Sequence, residues 1–504
     1  MEFEGGESAT GALHRLTSYE PDTAWDDAKD DPRLLQDFEP NDVARRPLFT
    51  KQYDHVLPRT PLPRELPAIT LPALDVLAGA AQPATAALDL AGLSRLLHLS
   101  AGVVRTLKRD WGTYLFRAAG SAGGRFPLEL YVVIPGDAAQ PGSVPGMPPG
   151  VHWYDPVEHA LVQVGPPPRP TGSESQAPTI VVTGVPWRTG WRYRERGFRH
   201  VYWDAGTMLS QLLALADSAG FAPRLYTRFP DAGVSALVGA DQVHEWPVAL
   251  LTLGGAEPAI DAAGPATTGV VDSAPLEFPL VTAAQRAGDT DRLAEAWDPG
   301  EAVHISGDAS VSLDEVIVRR GSQRRMDPSR GLPLDTLRTC MSVALRGIDI
   351  GHWVAVHDVA GLAPGIYRWP ELDKPVRSGS QAQMRAELYR VRLEQTLARD
   401  AAFVVIAATE VSQLTDREYR EAQLTAGIAE GRLHLAAYAL GAGACGMTFL
   451  DSEISTLLGE QPPSVGGDPM DGLIFTCVGV PGNTSKPGGL PGTPTEIRMV
   501  RPRK

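Results

Sequence analysis

The sequence contains little cysteine: three residues in a chain of 504, at Cys340, Cys445 and Cys477. Their spacing does not match the paired cysteines of a zinc site. Three cysteines also cannot supply the several disulfides that stabilise small secreted domains. The chain is long enough to form two or more domains, each around its own apolar core. We therefore expect a protein without a structural metal ion or a disulfide framework.

The sequence also lacks the segments that direct a chain to or through a membrane. Its first residues, Met-Glu-Phe-Glu-Gly-Gly-Glu, are acidic and do not resemble a signal peptide. The most apolar stretch, residues 433–450, is interrupted by Gly441, Gly443 and Gly446, which predicts a buried helix followed by a turn. These absences predict a cytoplasmic protein with no membrane association.

Positive charge is scarce as well. The formal net charge is −14, which disfavours non-specific binding to nucleic acid. Two local basic clusters, at residues 192–199 and 319–330, stand out against this acidic background. These clusters need an explanation of their own.

What the chain does contain is one domain-sized unit twice. Gly206 recurs at Gly427 and Gly220 at Gly441, both displaced by 221 residues. Further matches keep the same order and a similar displacement: Pro149-Gly150 with Pro364-Gly365, Asp231 with Asp451, Gly239 with Gly459, and the apolar runs 179–185 with 402–408 and 247–254 with 473–480. So long a period indicates two domains rather than a solenoid, whose repeats are about 20–50 residues. Chance matching in a chain with 51 glycines and 44 prolines is the alternative, and the conserved order of the matches argues against it.

Composition divides the chain into four predicted segments. They are an N-terminal arm or lid at 1–65, a first unit at 66–254, an Ala/Gly/Pro-rich linker at 255–278, and a second unit at 279–504. Each unit combines short β-branched strands with an apolar helix that ends at a glycine, and these helices are predicted at 204–219 and 428–441. The pattern predicts an α+β fold in which helices cover a sheet in each unit.

A basic stretch near the start of the second unit is a candidate anion site. Arg320, Ser322 and Arg324 alternate, so an extended backbone would present all three side chains on one side. Two guanidinium groups and a hydroxyl suit a phosphate dianion, which they can bind through charge-assisted hydrogen bonds. For this stretch alone, a solvated basic strand or a nucleic-acid patch remains the alternative.

A loop with almost no side chains in the first unit complements that stretch. Gly120, Ser121, Ala122 and Gly123 precede a strand that begins after Pro127. Such a loop lets a flat ring approach the backbone closely, with N–H groups free to bond the edge of the ring. Taken alone, it is also compatible with an ordinary glycine-rich turn.

The basic stretch resembles a motif of the FMN-dependent nitroreductase superfamily. Members of that family are α+β homodimers that bind FMN at the subunit interface. In the family, an Arg-Arg-Ser-x-Arg motif holds the phosphate and ribityl chain of FMN. Arg320, Ser322 and Arg324 match this motif, and Gly321 replaces its second arginine.

The glycine-rich loop resembles a second motif of the same family. There a Pro-Ser-x-Gly-x-x-x-Pro loop of the other subunit touches the isoalloxazine ring. Ser121, Gly123 and Pro127 match it, and Gly120 replaces the leading proline. Each unit of this chain thus carries a different half of one family signature.

The likeness is closest to one branch, the azoline dehydrogenases, which oxidise thiazolines and oxazolines of peptides to thiazoles and oxazoles. Residues 13–19, 151–156 and 191–206 resemble segments of that branch. The branch carries a Lys-Tyr pair implicated in catalysis, and Arg192 and Tyr193 occupy the matching positions. The flanking arginines would favour the phenolate of Tyr193, so we expect this residue to act as a base or proton relay. A tyrosine that only packs at the edge of a loop is the alternative.

Departures from the family pattern imply one FMN per chain. Where the first unit should carry the arginine motif, residues 81–86 contain no cation, and residues 346–349 replace the Ser-Gly loop in the second unit. The two surviving halves would build one site within an intramolecular pseudo-dimer. The other position should be empty, because an unpaired phosphate dianion in a closed pocket is unfavourable.

Family position also implies further contacts with the cofactor. Thr448 and Phe449 should lie near the ring through their backbone, and Lys486 or Arg498 in the C-terminal tail should reach the phosphate. The implied partners are an azoline-containing peptide and the cyclodehydratase that forms the azolines, with no nucleic acid and no metal.

Three functions remain open on the sequence. The first is FMN-dependent dehydrogenation of azolines in a ribosomally made peptide. The second is another flavin reaction on this scaffold, such as nitro or quinone reduction with a nicotinamide donor. The third is a flavin-less docking subunit of a peptide-modifying complex.

Overall fold

Two antiparallel sheets, one in each half of the chain, organise the fold. The structure, a computed structural model, describes residues 6–21, 30–110, 112–136, 144–170, 176–305, 310–459 and 469–498. The strands of the described residues are β1 (Arg59–Pro61), β2 (Val103–Arg109), β3 (Gly112–Arg117), β4 (Leu128–Ile134), β5 (Gly150–Asp155), β6 (Ala160–Gly165), β7 (Gln176–Ala177), β8 (Thr179–Gly184), β9 (Arg224–Tyr226), β10 (Trp246–Thr252), β11 (Glu257–Pro258), β12 (Leu332–Pro333), β13 (Gly351–Val356), β14 (Val359–Ala360), β15 (Gly365–Arg368), β16 (Arg377–Ser378), β17 (Phe403–Thr409), β18 (Gly443–Met447), β19 (Asp471–Gly479) and β20 (Thr495–Glu496).

Helices cover these sheets and fill the space between them. Those of the described residues are α1 (Ala9–Leu16), α2 (Ala73–Leu77), α3 (Leu90–Ala101), α4 (Pro186–Tyr193), α5 (Gly197–Ser218), α6 (Asp231–Val238), α7 (Pro279–Ala287), α8 (Leu313–Arg319), α9 (Leu334–Ala344), α10 (Gln381–Val391), α11 (Thr396–Asp400), α12 (Asp416–Ala439) and α13 (Ile454–Leu457). None of the helices in these ranges is long and apolar enough to span a membrane.

The two sheets repeat the same strand order. The first sheet runs β1-β6-β5-β4-β8-β10-β9, and the second runs β16-β15-β13-β17-β19-β18. The central strands β8 and β10 of the first sheet correspond to β17 and β19 of the second, as the repeated apolar runs predict. Every residue of β8 and of β10 is buried, since apolar and β-branched residues pack on both faces of these strands. The α+β prediction with two similar units is confirmed.

The long helices α5 and α12 cross where the repeat relates one glycine to the other. A Cβ on Gly206 would overlap the carbonyl oxygen of Leu424, and a Cβ on Gly427 would overlap the carbonyl oxygen of Trp203. Trp203 and Leu424 are themselves displaced by 221 residues, so the two contacts are equivalent by the repeat. Reciprocal contacts of this kind characterise a two-fold interface. The two units therefore form an intramolecular pseudo-dimer.

Both central helices end where the sequence predicts but begin earlier. They are followed by Gly220 and Gly441, which adopt φ values of 71° and 77°. The first turns of these helices contain arginines such as Arg199 and Arg420, a residue type that is usually exposed to solvent. Both side chains are buried in ion pairs with aspartates of other elements. Helix α12 begins at a local capping box, in which the hydroxyl of Thr415 accepts the backbone N–H of Glu418 and the carboxylate of Glu418 accepts the backbone N–H of Thr415.

The predicted arm and linker both pack against the units. Helix α1 contacts α7 and α12, and Thr10 donates backbone and side-chain hydrogen bonds to Asp416 at 2.7 and 2.8 Å. Strand β1 extends the first sheet by pairing with β6. In the predicted linker, Thr267 donates its backbone N–H to Val164 at 2.7 Å, so this segment returns to the first unit. The arm thus reaches both units rather than the first alone.

Candidate active site

The glycine-rich loop of the first unit is shaped by close contacts on both sides. Gly123 and Gly124 have φ values of 57° and 63°, a region that favours glycine. A Cβ on Gly123 would lie 2.6 Å from the hydroxyl of Tyr193, and a Cβ on Gly124 would lie 2.8 Å from the hydroxyl of Tyr114. The loop therefore has neither the backbone conformation nor the space for side chains at these positions.

A buried carboxylate of helix α5 holds the start of this loop. Asp204 accepts a hydrogen bond from the hydroxyl of Ser121 at 2.5 Å and another from the backbone N–H of Ala122 at 2.9 Å. The hydroxyl of Ser121 in turn accepts the N–H of Phe126 at 2.8 Å. Ser121 thus closes the loop on itself and also attaches it to the central helix.

The structure brings the loop of the first unit against the basic stretch of the second. A Cβ on Gly120 would lie 3.3 Å from Nη1 of Arg320 and 4.0 Å from the hydroxyl of Ser322. Nη2 of Arg320 donates a hydrogen bond to the carbonyl oxygen of Ala118 at 2.5 Å, directly before the loop. The two half-motifs, about 200 residues apart in the chain, meet at one place between the units. We call this place the composite site, defined by Gly120–Gly123, Arg320 and Ser322.

The charge of Arg320 is buried and only partly satisfied. The residue is 3% exposed, and neither its Nε nor its Nη1 has a hydrogen-bond partner in the part of the chain that the structure describes. Burial lowers the pKa of its guanidinium, which nevertheless stays charged near neutrality. A buried cation with unused donors is unfavourable unless an anion joins it. A phosphate group fits this need, and the side-chain-free loop beside it fits a flat ring.

A second buried arginine, which the motifs of the sequence do not include, lies close to Arg320. Arg105 on β2 donates to the carbonyl oxygens of Val318 at 2.5 Å and Lys486 at 3.0 Å. Burial and the charge of Arg320 lower the pKa of Arg105 to about 10. An arginine within a half-apolar strand, Val-Val-Arg-Thr-Leu, was the available signal. It adds a positive charge at this end of the composite site.

The basic stretch does not form the regular extended strand that its alternation predicts. Arg320 caps helix α8 and is buried, whereas Ser322 and Arg324 are exposed. Between them, the side chain of Gln323 turns inward and donates to Asn483. The three predicted ligands therefore have different environments. Arg320 lies between the units, whereas Ser322 and Arg324 lie at the surface.

Tyr193 ends helix α4 beside the loop, with its hydroxyl against Gly123. Burial raises the pKa of Tyr193, and the lowering effect of Arg192 does not compensate for it. Arg194 donates to backbone carbonyl oxygens of residues 35 and 38, and Arg196 donates to Asp451. Arg192 thus favours the phenolate as expected, but burial outweighs this effect and favours the neutral phenol, and the other two flanking arginines are engaged elsewhere.

A buried ion cluster joins the Tyr193 segment to the second unit. Asp451 accepts hydrogen bonds from Arg196 at 2.7 Å, from Arg199 at 2.6 Å and from the backbone N–H of Tyr19 at 2.8 Å. The two arginines hold the pKa of Asp451 at about 2 despite its burial. In the sequence, Asp451 stands out only as the repeat counterpart of Asp231, because its arginine partners are about 250 residues away.

The resemblance implied that Thr448, Phe449 and one of two tail residues contact the cofactor, and the structure gives these residues different surroundings. The hydroxyl of Thr448 accepts a hydrogen bond from Arg196 at 3.0 Å, which links it to the Tyr193 segment. The ring of Phe449 is buried in the second unit and stacks on Phe475 at 4.6 Å. In the C-terminal tail, the side chains of Lys486 and Arg498 are exposed and both lower the pKa of Glu496. The carbonyl oxygen of Lys486 accepts a hydrogen bond from Arg105 at 3.0 Å, so the tail meets this end of the composite site through its backbone.

Segments of the chain pack closely on one another beside the stretches 81–86 and 346–349, which lack the two motifs. Gly79 lies against Arg346, whose Nη1 donates to the carbonyl oxygen of Gly300 at 2.9 Å. Gly300 packs on the backbone of Gly347, and Val303 donates its N–H to Ala78 at 2.9 Å. Residues 300–303 therefore contact Ala78 and Gly79, just before the stretch 81–86, and Arg346 and Gly347 in the stretch 346–349.

Comparison with known proteins agrees with this architecture. The sequence profile of the nitroreductase family matches residues 317–461. The matched residues lie within the second unit. A candidate nitroreductase of Methanocaldococcus jannaschii, MJ1384, is 27% identical over 179 residues, which cover 33% of this chain and 81% of that relative.

Solved structures extend the likeness to the whole chain. The crystal structure of a candidate nitroreductase from Anabaena variabilis aligns with 94% of this chain and 100% of its own, at a TM-score of 0.69 and 23% identity. One chain of that protein thus has the fold of both units together. The Escherichia coli microcin synthetase McbBCD complex, with truncated pro-MccB17 bound, aligns over 33% of this chain and 64% of its own, at a TM-score of 0.27 and 20% identity.

Proposed function

We propose that this protein is an FMN-dependent dehydrogenase that oxidises thiazolines or oxazolines of a ribosomally made peptide to thiazoles or oxazoles. The observation that carries the proposal is the contact of Arg320 with the loop at Gly120, because it joins the two halves of the flavin-binding signature. The nitroreductase-family profile over residues 317–461 supports a flavin oxidoreductase. The azoline specificity rests on the resemblance of residues 13–19, 151–156 and 191–206 to the azoline dehydrogenase branch.

The residues of the composite site fit one FMN. Arg320 offers two unused guanidinium nitrogens to a phosphate, and Arg105 adds a second charge at the same end. Ser322 and Arg324 remain available at the surface of the same stretch. The loop Gly120–Gly123 leaves room for a ring against its backbone. When bound, FMN would supply the hydride acceptor that aromatising an azoline requires.

The chain itself would manage the proton that leaves the substrate ring. Tyr193 lies at the loop and keeps its own proton, because burial raises its pKa. A neutral phenol can accept a hydrogen bond or relay a proton as it donates its own, so a relay fits this environment better than a standing phenolate base. Arg192 lies beside the phenol ring and would stabilise negative charge that develops on it.

A second candidate is nitro or quinone reduction with a nicotinamide donor. It is favoured by the relatives in Methanocaldococcus jannaschii and Anabaena variabilis, both of which are named as candidate nitroreductases. In that case the composite site would hold the same cofactor, and only the substrate would differ.

Single-turnover bleaching of the flavin without oxygen distinguishes these functions. The purified, FMN-loaded protein is mixed with an azoline peptide in one experiment and with NADH or NADPH in a matched one. We expect the azoline peptide to bleach the flavin absorbance and to gain an azole chromophore in the same proportion. Bleaching by the nicotinamide alone would support the second candidate. A protein that never retains flavin would contradict both and leave a docking role.

A further inference from the structure

A carboxyl group that the proposed chemistry does not use lies beside the composite site. Glu430 is on helix α12, and its side chain is 11% exposed. Its Oε2 accepts a hydrogen bond from the hydroxyl of Thr207 at 3.3 Å, and its Oε1 lies 3.5 Å from Nε2 of His434. The carboxyl fills the place that a side chain at Gly446 would occupy. Thr207 also borders the space above Gly120, so this acid belongs to the surroundings of Arg320.

No lysine or arginine forms an ion pair with Glu430 within the described ranges, although Arg320 is close enough to act on it. Burial, together with the nearby carboxyl of Asp204, raises the pKa of Glu430 to about 8. Thr207 and Arg320 oppose this shift without cancelling it. Glu430 therefore keeps its proton at neutral pH.

The other titratable groups around Glu430 do not offer it a counter-ion. Burial holds the pKa of His434 at about 3, so that imidazole is neutral. Burial also raises the pKa of the Cys445 thiol on strand β18, which stays neutral. Asp204, on helix α5, has a pKa of about 7 because of burial, and it is tied to Ser121 and Ala122. Arg320 is thus the cation that an ionised Glu430 would engage.

We propose that Glu430 is a positioning residue that holds a proton and thereby leaves Arg320 available to bind a phosphate-bearing anion. An ionised carboxylate here would attract the guanidinium and repel a phosphate, whereas a protonated carboxyl does neither. This inference depends on the proposed function in one respect, namely that FMN is the physiological anion. The same reasoning holds for inorganic phosphate.

This arrangement links anion binding to pH. A phosphate dianion beside Glu430 raises the pKa of Glu430 further, so the complex binds protons more tightly than the free protein does. The affinity for the anion must then fall as the pH rises through about 8. Each unit by which the anion raises the pKa corresponds to about a tenfold fall in affinity.

The experiment measures the dissociation constant of FMN from the flavin-free full-length protein, by quenching of flavin fluorescence, between pH 7 and pH 9.5. For the parent protein we expect the dissociation constant to rise about tenfold over this range. Glu430→Gln keeps the shape and removes the titration of Glu430, so it should bind as the parent does at pH 7. Above pH 8, where Asp204 with its pKa of about 7 is already largely ionised, the dissociation constant of this variant should stay nearly constant while that of the parent rises. The control is Asp217→Asn, at a half-buried acid near Arg346 and Arg432, whose charges both act on Asp217. This control should keep the parental pH dependence.

A second readout does not depend on flavin. The infrared spectrum of the flavin-free protein at pH 7 should contain a protonated-carboxyl band that Glu430→Gln removes. Calorimetric titration with inorganic phosphate repeats the pH series if FMN fails to bind, an outcome that would contradict the proposed function. A parental affinity that does not vary with pH, a Glu430→Gln variant with the parental pH dependence, or no binding of either anion would overturn the inference.

Discussion

Replacing Arg320 by alanine is the most direct perturbation of the composite site. In the described structure this guanidinium has two nitrogens, Nε and Nη1, without a hydrogen-bond partner. Hydrogen bonds to charged groups contribute about 1.5–3 kcal/mol each. If a phosphate takes both donors, the variant loses about 3–6 kcal/mol of binding free energy. This corresponds to a dissociation constant raised at least about a hundredfold.

The second arginine of the motif should matter much less. Arg324 is exposed, so solvent screens its charge, and Arg324→Ala should raise the dissociation constant by about tenfold or less. The double variant Arg320→Ala, Arg324→Ala should then resemble the single Arg320 variant and purify without colour. Arg320→Lys keeps the charge but loses the planar fork, and it should fall between the parent and the alanine variant.

The assay is titration of each flavin-free variant with FMN, followed by fluorescence quenching. Circular dichroism checks the fold, because Arg320→Ala also leaves the carbonyl oxygen of Ala118 without its partner. The matched control is Thr85→Ala, an exposed residue in the stretch of the first unit that corresponds to the basic motif. Equal losses of affinity in the Thr85 and Arg320 variants would refute the assignment of the phosphate end.

Three further predictions concern the flavin content, the proton and the stability. Flavin released by denaturation should approach one FMN per chain, and two would contradict the composite site. Tyr193→Phe should keep the bound FMN but slow azole formation by about 10²–10⁴-fold in single-turnover bleaching. Arg192→Lys, which keeps the charge, should be tolerated. If Tyr193→Phe reacts at the parental rate, the role of the tyrosine is structural. Asp451→Asn leaves two buried arginines unpaired and should lower the free energy of unfolding in urea by about 3–5 kcal/mol at pH 7. Because the pKa of Asp451 is lowered to about 2, this difference in unfolding free energy should be present above pH 4 and shrink as the pH falls towards 2. A difference in unfolding free energy that does not vary with pH would argue against the ion cluster.

The sequence by itself determined the repeat and much of each unit. The β-branched runs became the central strands β8, β10, β17 and β19, because continuous apolar runs of this length need cover on both faces. Gly220 and Gly441 ended the central helices, since the left-handed conformation after a helix strongly favours glycine. The complementary loss of half-motifs also predicted that residues near 120 and 320 would act together. These features depend on local pattern and on chemical identity, which a sequence displays directly.

Only the tertiary structure decided which charges are buried and what they face. The alternation of Arg320 and Arg324 implies equivalent ligands, yet packing between the units buries the first and leaves the second in solvent. The arginines around Tyr193 imply a phenolate, yet burial keeps the phenol neutral. Glu430 and Asp204, more than 200 residues apart, become interacting acids only because α5 and α12 cross. The physical reason is that desolvation and Coulomb energy depend on distances between remote segments, and neighbouring letters in a sequence do not encode those distances.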